Sequence, residues 1–264
     1  MSGFDPFWLA LLVKASATAL VVVLASVAAE KSGPFWGGLI SCLPVAAGPA
    51  YVMLAMQQPP AFIADSSLAS LAAGMATWVY LWTFVRLAER WPLWPSLLTA
   101  LAAWLTLAVI VRSVPWSLPL ALVGNAAAFA FAVRFTPEVK FESAVAVSRP
   151  WFELPARAVL VGTFVAVVVS VADAIGPAAT GVAAVFPIAL SSLAVTIHRR
   201  FGIRGSAAGL SSAVRPLIGI AAGLVVVTLA VPAWGAWPGL LAGLAASLAW
   251  PVVLIALRAR RVQS

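Results

Sequence analysis

Apolar residues run along this chain in long stretches without the polar face of an amphipathic surface helix, and short clusters of Arg, Pro, Gly and Ser separate them. A helix needs about 20 apolar residues to cross the hydrocarbon core. On that criterion spans are expected near 7–29, 35–56, 66–86, 95–112, 116–133, 155–173, 178–197, 210–231 and 236–257. Inside a bilayer each backbone amide must be paired within its own segment or in a closed barrel. The pattern therefore predicts an all-α integral membrane protein of about nine transmembrane helices.

The pattern also repeats. Glu30, Gly33-Pro34, Gly38 and Pro44 return as Asp173, Gly176-Pro177, Gly181 and Pro187 at a constant offset of 143 residues, and the same register sets Lys14 against Arg157. The first four spans then pair with the last four around an odd fifth, which forces the two sets into opposite orientations. The expected organisation is two inverted four-helix repeats joined by a linking helix. Residues 1–112 form the first repeat, 113–154 the linking transmembrane helix and a cytoplasmic linker, and 155–264 the second repeat.

Composition excludes a soluble domain, because 63% of residues are hydrophobic, 9% are charged and the mean hydropathy is +1.06. The net charge of +8 lies in the loops between apolar runs and not on a soluble face, so it reads as a topology signal and no nucleic-acid partner is expected. With nine spans, 14 of the 16 basic residues fall towards one side. That places the N-terminus in the periplasm and the C-terminus in the cytoplasm of a bacterial inner membrane, with the lipid bilayer as the constant partner. The 7–29 stretch is read as a span and not a cleaved leader, since Lys14 interrupts it and no basic segment precedes it. The single Cys42 and single His198 leave no ligand set for a metal, no catalytic residue is expected, and no cofactor is implied. Most tryptophans fall near the ends of expected spans, where an interfacial belt would place them. Gly219 and Gly223, like Gly239 and Gly243, have the spacing that lets two helices approach closely, here within the monomer.

A proline in mid-span frees a backbone carbonyl, and paired interruptions in inverted halves point to a transporter site near the bilayer midplane. Pro44 and Pro187 are such a pair; Ser41 and Gly48 accompany the first, Ser191 and Ser192 the second. Lys14 and Arg215 are basic residues inside expected spans, where burial of charge asks for a reason. Together these eight form the expected substrate site, and the two cations favour a small anion or carboxylate. Glu30 and Asp173 precede the Gly-Pro steps and are expected to cap or gate. Asn125 is the only strongly polar side chain in the fifth span and is expected to bond a neighbouring helix.

Lys14-Ala15-Ser16-Ala17, Ala29-Glu30-Lys31-Ser32 and the run from Gly37 to Pro44 resemble the small four-helix bacterial membrane proteins typified by GlpM. That resemblance implies an integral inner-membrane protein, here in a doubled, fused form, and supplies no activity. The expected function is a small transporter or permease and not an enzyme. A non-transporting assembly or accessory subunit, or a passive channel, are the alternatives, and an oligomer or protein partner is compatible with each.

Overall fold

The computed structural model describes residues 16, 20, 47–139 and 153–263, and among these nine helices follow one another from residue 47 onward. They are α1 (Ala47–Ala55), α2 (Pro60–Leu87), α3 (Leu93–Arg112), α4 (Leu118–Phe135), α5 (Glu153–Ser170), α6 (Ala172–Ala184), α7 (Ile188–Ala213), α8 (Ile218–Trp234) and α9 (Ala236–Gln263). No strand occurs among the described residues. Five helical stretches there are long and apolar enough to cross a bilayer: Pro60–Leu87, Leu93–Arg112, Leu118–Phe135, Ala172–Ala213 and Ala236–Val253. Pro155–Ser170 and Ile218–Trp234 are shorter apolar helices. The first expected span, most of the second before Ala47, and the linker over 140–152 lie outside the described residues.

Helix starts obey the local chemistry. Extended Pro59 and Pro92 precede α2 and α3, and Pro60 sits in the first turn of α2, where a missing N–H costs nothing. Glycines at φ +67 and +87 make the corresponding joints in the second half, Gly202 inside α7 and Gly235 before α9. These lie 143 residues after Pro59 and Pro92, so the joints recur in register. At Gly202 the chain folds back on itself, and Ser206 Oγ reaches across to donate to Ala194 O at 2.7 Å. The eighth apolar run therefore begins near residue 203, not 210, and it is interrupted at 214–217, around Pro216, before α8 resumes. Proline has no N–H for the ladder and its ring clashes with the preceding turn, which accounts for the break.

The long helix α2 runs through both apolar clusters. Its first part, with Ile63, Leu71 and Ala72, packs against α1, α6 and α8, and α5 joins the same apolar cluster through α1 and α6. Its second part, with Tyr80, Leu81, Phe84 and Val85, packs against α3 and α7. Small residues set the close crossings. A Cβ on Gly181 of α6 would collide with Ser66 O of α2, and one on Gly223 would meet Gly243 O at 2.7 Å, so the two four-residue glycine spacings of α8 and α9 face each other within the chain as expected. By contrast α4 buries only Ala121, Asn125 and Ala132 on one side, leaving the rest of an apolar helix turned outward.

Candidate functional site

Helix α7 does not continue α6: residues 185–187 are non-helical, and Pro187 at φ −76, ψ 42 is buried in the break. The break is held by aromatic packing. The Phe186 ring meets Trp104 of α3 edge-on at 5.1 Å between centroids and lies 5.4 Å from Phe164 of α5. Trp104 Nε1 in turn donates to Thr77 Oγ1 at 3.3 Å.

A cavity of about 100 Å³ opens beside this break. Helix α2 lines it with Leu71, Gly74, Thr77 and Trp78, α4 with Asn125, and α8 with Ile220, Ala221 and Leu224. Leu217, from the second interruption, and Val185, Phe186, Pro187, Ala189 and Leu190, around the first, complete most of the wall together with Ala47 of α1. A buried water requires about 10–15 Å³, so the cavity admits several waters or one solute of a few heavy atoms.

Eight of these positions form four pairs at the sequence offset of 143: Ala47 with Leu190, Gly74 with Leu217, Thr77 with Ile220, and Trp78 with Ala221. Helices α2 and α8, which carry most of them, run antiparallel. Ser67 Oγ, near the start of α2, is 2.7 Å from Thr228 Oγ1 near the end of α8, while the offset counterparts of that pair, Val85 and Leu210, are both fully buried in one apolar cluster.

Asn125 is the polar centre of the wall. Its Nδ2 donates to Leu71 O at 2.6 Å, across to α2, and to Ala121 O at 3.0 Å in its own helix, as the sequence led us to expect of an interhelical bond. Reversing the amide would set its oxygen against two carbonyls, so the orientation is fixed. Among the described residues its Oδ1, which lies against Gly74, has no hydrogen-bond partner, and Trp78 Nε1 is likewise buried and unpartnered.

The structure brings only part of the expected site together. Pro187 lines the cavity, and Gly48 is half-buried in α1 beside the lining residue Ala47. Ser191 sits one turn into α7 and bonds Tyr80 Oη at 3.0 Å, while Ser192 Oγ donates to Ala189 O in its own helix at 2.9 Å. Arg215 stands on the surface, 3.1 Å from Glu138, and does not line the cavity; Pro216 turns it out of the apolar run. Asp173 is exposed and accepts a hydrogen bond from Gln58 Nε2 at 2.6 Å, with Gly176 at φ +75 making the joint before Pro177. Lys14, Glu30, Ser41 and Pro44 lie outside the described residues.

The tryptophan belt also needs correcting in part, because Trp78 and Trp104 are 3% and 2% exposed and pack into the core beside the cavity, whereas Trp91, Trp94, Trp234 and Trp237 are exposed. Gly74 and Thr77 sit in an uninterrupted apolar helix and Trp78 read as one of the belt tryptophans, so only the offset would have singled out the three. Comparison of the chain with protein families, curated proteins and solved structures finds no match.

Proposed function

We propose that this protein is a small membrane permease that holds its substrate in the cavity between α2, α4, α7 and α8, on a pseudo-two-fold axis lying in the membrane plane. The observation that carries this reading is the pairing of cavity-lining positions at the repeat offset, on antiparallel helices. A duplicated four-helix unit folded in inverted orientation would put such pairs around its axis, and inverted repeats with interrupted helices at the midplane are a common plan of secondary transporters. The nine-span arrangement, with a periplasmic N-terminus and a cytoplasmic C-terminus in a bacterial inner membrane, belongs to the same proposal. It is supported by the side on which the basic residues fall.

Packing alone would explain a fully filled core, but it gives no account of an open space where two helix interruptions meet. The test is flux through purified protein in sealed proteoliposomes, across a panel of small charged and uncharged solutes. Ala221→Phe, which fills the cavity from α8, should abolish the flux while the protein still melts cooperatively. A folded wild type that moves none of the panel faster than empty liposomes overturns the permease reading and leaves the accessory-subunit alternative.

A further inference from the structure

A second cavity, of about 230 Å³, lies against the opening turns of α2 and shares no lining residue with the first. Asp65 of α2, Arg112 at the end of α3, Trp116 at the α3–α4 corner, and Ala178 and Val182 of α6 stand around it. Trp116 Nε1 donates to Val111 O at 2.7 Å, which holds the half-buried indole as a fixed wall. Val109, Ile110 and Leu120, in the helical turns on either side of this corner, are exposed apolar residues.

Arg112 is out of place by the rule that sets the topology. Of the 16 basic residues 14 fall towards the expected cytoplasmic side, and Arg112 is one of the two that do not. The negative end of α3 accounts for a cation in its last turn. It does not account for a carboxylate on the same cavity that stays apart from it. Among the described residues neither the Asp65 nor the Arg112 side chain makes an ion pair or a hydrogen bond. Both residues are exposed, so their charged groups are open to a ligand. A ligand in a space of this size lies within a Debye length, about 8 Å at physiological ionic strength, of each. A simple anion would be drawn by Arg112 and opposed by Asp65, and a simple cation the reverse. A group that carries both charges is favoured by both residues.

We infer that this cavity is a lipid site, which takes the headgroup of a zwitterionic phospholipid of the ethanolamine class from the leaflet on the expected periplasmic side. Arg112 holds the phosphate, since a planar guanidinium matches phosphate oxygens two at a time. The ammonium lies towards Asp65, and the acyl chains follow the exposed apolar turns of α3 and α4. A phosphoethanolamine headgroup of about eight heavy atoms suits this cavity better than the first, which admits only a few. The site is independent of the permease reading and takes only its leaflet from the proposed topology.

The test uses delipidated protein in detergent and phosphatidylethanolamine with a fluorophore on one acyl chain. Unlabelled phosphatidylethanolamine, phosphatidylglycerol and chain-free glycerophosphoethanolamine serve as competitors. Wild type should bind the labelled lipid saturably and prefer phosphatidylethanolamine to phosphatidylglycerol about three- to fivefold, the range of an exposed charge interaction. The chain-free headgroup should not compete at matched concentration. Arg112→Gln should weaken both lipids about tenfold or more, the effect of a lost charge-assisted hydrogen bond. Asp65→Asn should weaken phosphatidylethanolamine and strengthen phosphatidylglycerol until the preference disappears. A residue that serves only the fold would not move one lipid against the other. If Arg112→Gln does not fold, Arg112→Lys keeps the charge at the helix end, gives up the two-pronged contact, and should still weaken both lipids severalfold. Absence of saturable binding overturns the site, as does phosphatidylglycerol bound by wild type as tightly as phosphatidylethanolamine. Competition by glycerophosphoethanolamine equal to that of the whole lipid replaces the lipid with a soluble zwitterion and overturns it too. Folded Arg112 and Asp65 variants that bind both lipids like wild type would leave the two charges without this role.

Discussion

Gly223 of α8 and Gly243 of α9 press backbone against backbone: a Cβ on the first would lie 2.7 Å from the carbonyl oxygen of the second, and a Cβ on the second 3.0 Å from the carbonyl oxygen of the first. Association of apolar helices in lipid draws on close packing because there is no hydrophobic gain from leaving an apolar solvent. Gly223→Ala must therefore separate the helices. A loss of about 1–3 kcal/mol is expected for such overpacking, read as a lowered melting temperature in detergent. An unchanged melting curve would show that α8 and α9 are not in this register.

The crossing of α6 over α2 makes a parallel case. A side chain on Gly181 would collide with the backbone oxygen of Ser66, and Ser70 Oγ donates to Gly181 O at 2.6 Å while also meeting Tyr51 Oη at 2.7 Å. Gly176, five residues earlier, has open space around it yet sits at φ +75, ψ 172, a backbone region that is essentially glycine's alone. Both Gly181→Ala and Gly176→Ala should destabilise, the first by collision and the second by about 1–3 kcal/mol of backbone strain. A stable Gly176→Ala, judged by thermal melting, would contradict the bend before Pro177.

The ion pair of Arg215 with Glu138 is a contrasting prediction. Its side chains are 62% and 77% exposed, and exposed pairs are worth at most about 1 kcal/mol. Arg215→Gln should change stability by no more than that, lose even this difference at high salt, and leave flux intact, because the residue does not line the cavity. Loss of flux in a stably folded Arg215→Gln would return the cation to the site.

How much of this was legible in the chain differs by feature. Hydropathy located the long apolar helices because the bilayer fixes their length, and the glycine spacings of α8 and α9 predicted their contact. The Pro187 interruption was readable, as proline acts locally. The start of the eighth run was misplaced, since His198, Arg199, Arg200 and Arg204 cluster around Gly202 and hide a joint that only a positive φ reveals. Arg215 drew attention as a charge in an apolar context, whereas Pro216 had already turned it to the surface. Asn125 was visible as a polar residue, but its second atom, the orphaned Oδ1, depends on which neighbours take the first.

Orientation has its own test. The bond between Gln58 and Asp173 ties the α1–α2 corner to the start of α6, and the proposed topology puts both at the periplasmic face, with Glu89 and Glu138 at the other. In a Cys42→Ala background, cysteines at Gln58 and Ser113 should react with an impermeant reagent from the periplasm, and cysteines at Glu89 and Glu138 only after the cytoplasmic face is opened. Labelling of Glu89 and Glu138 from opposite sides would break the even number of crossings between them and with it the inverted arrangement.

The break before α7 yields the most demanding prediction. Pro187→Ala restores a backbone donor and removes the ring, so a proline-made interruption would close into a continuous helix. Here Phe186 is clamped between Trp104 and Phe164, and Ile188 N–H already bonds Phe186 O at 2.7 Å. The clamp is expected to keep residues 185–187 out of the helix even without proline, so Pro187→Ala alone should retain much of the flux and melt within about 1 kcal/mol of wild type. Releasing the clamp as well, in Phe186→Ala with Pro187→Ala, removes both constraints. Helix α6 can then run on into α7, the first-turn N–H groups of Ala189 and Leu190 gain helical partners, and the cavity loses that side of its wall. Flux should fall to the level of empty liposomes while the helical signal in circular dichroism is kept or raised. A double variant that folds, melts cooperatively and transports like wild type would show that the interruption is a packing accident and that the substrate passes elsewhere.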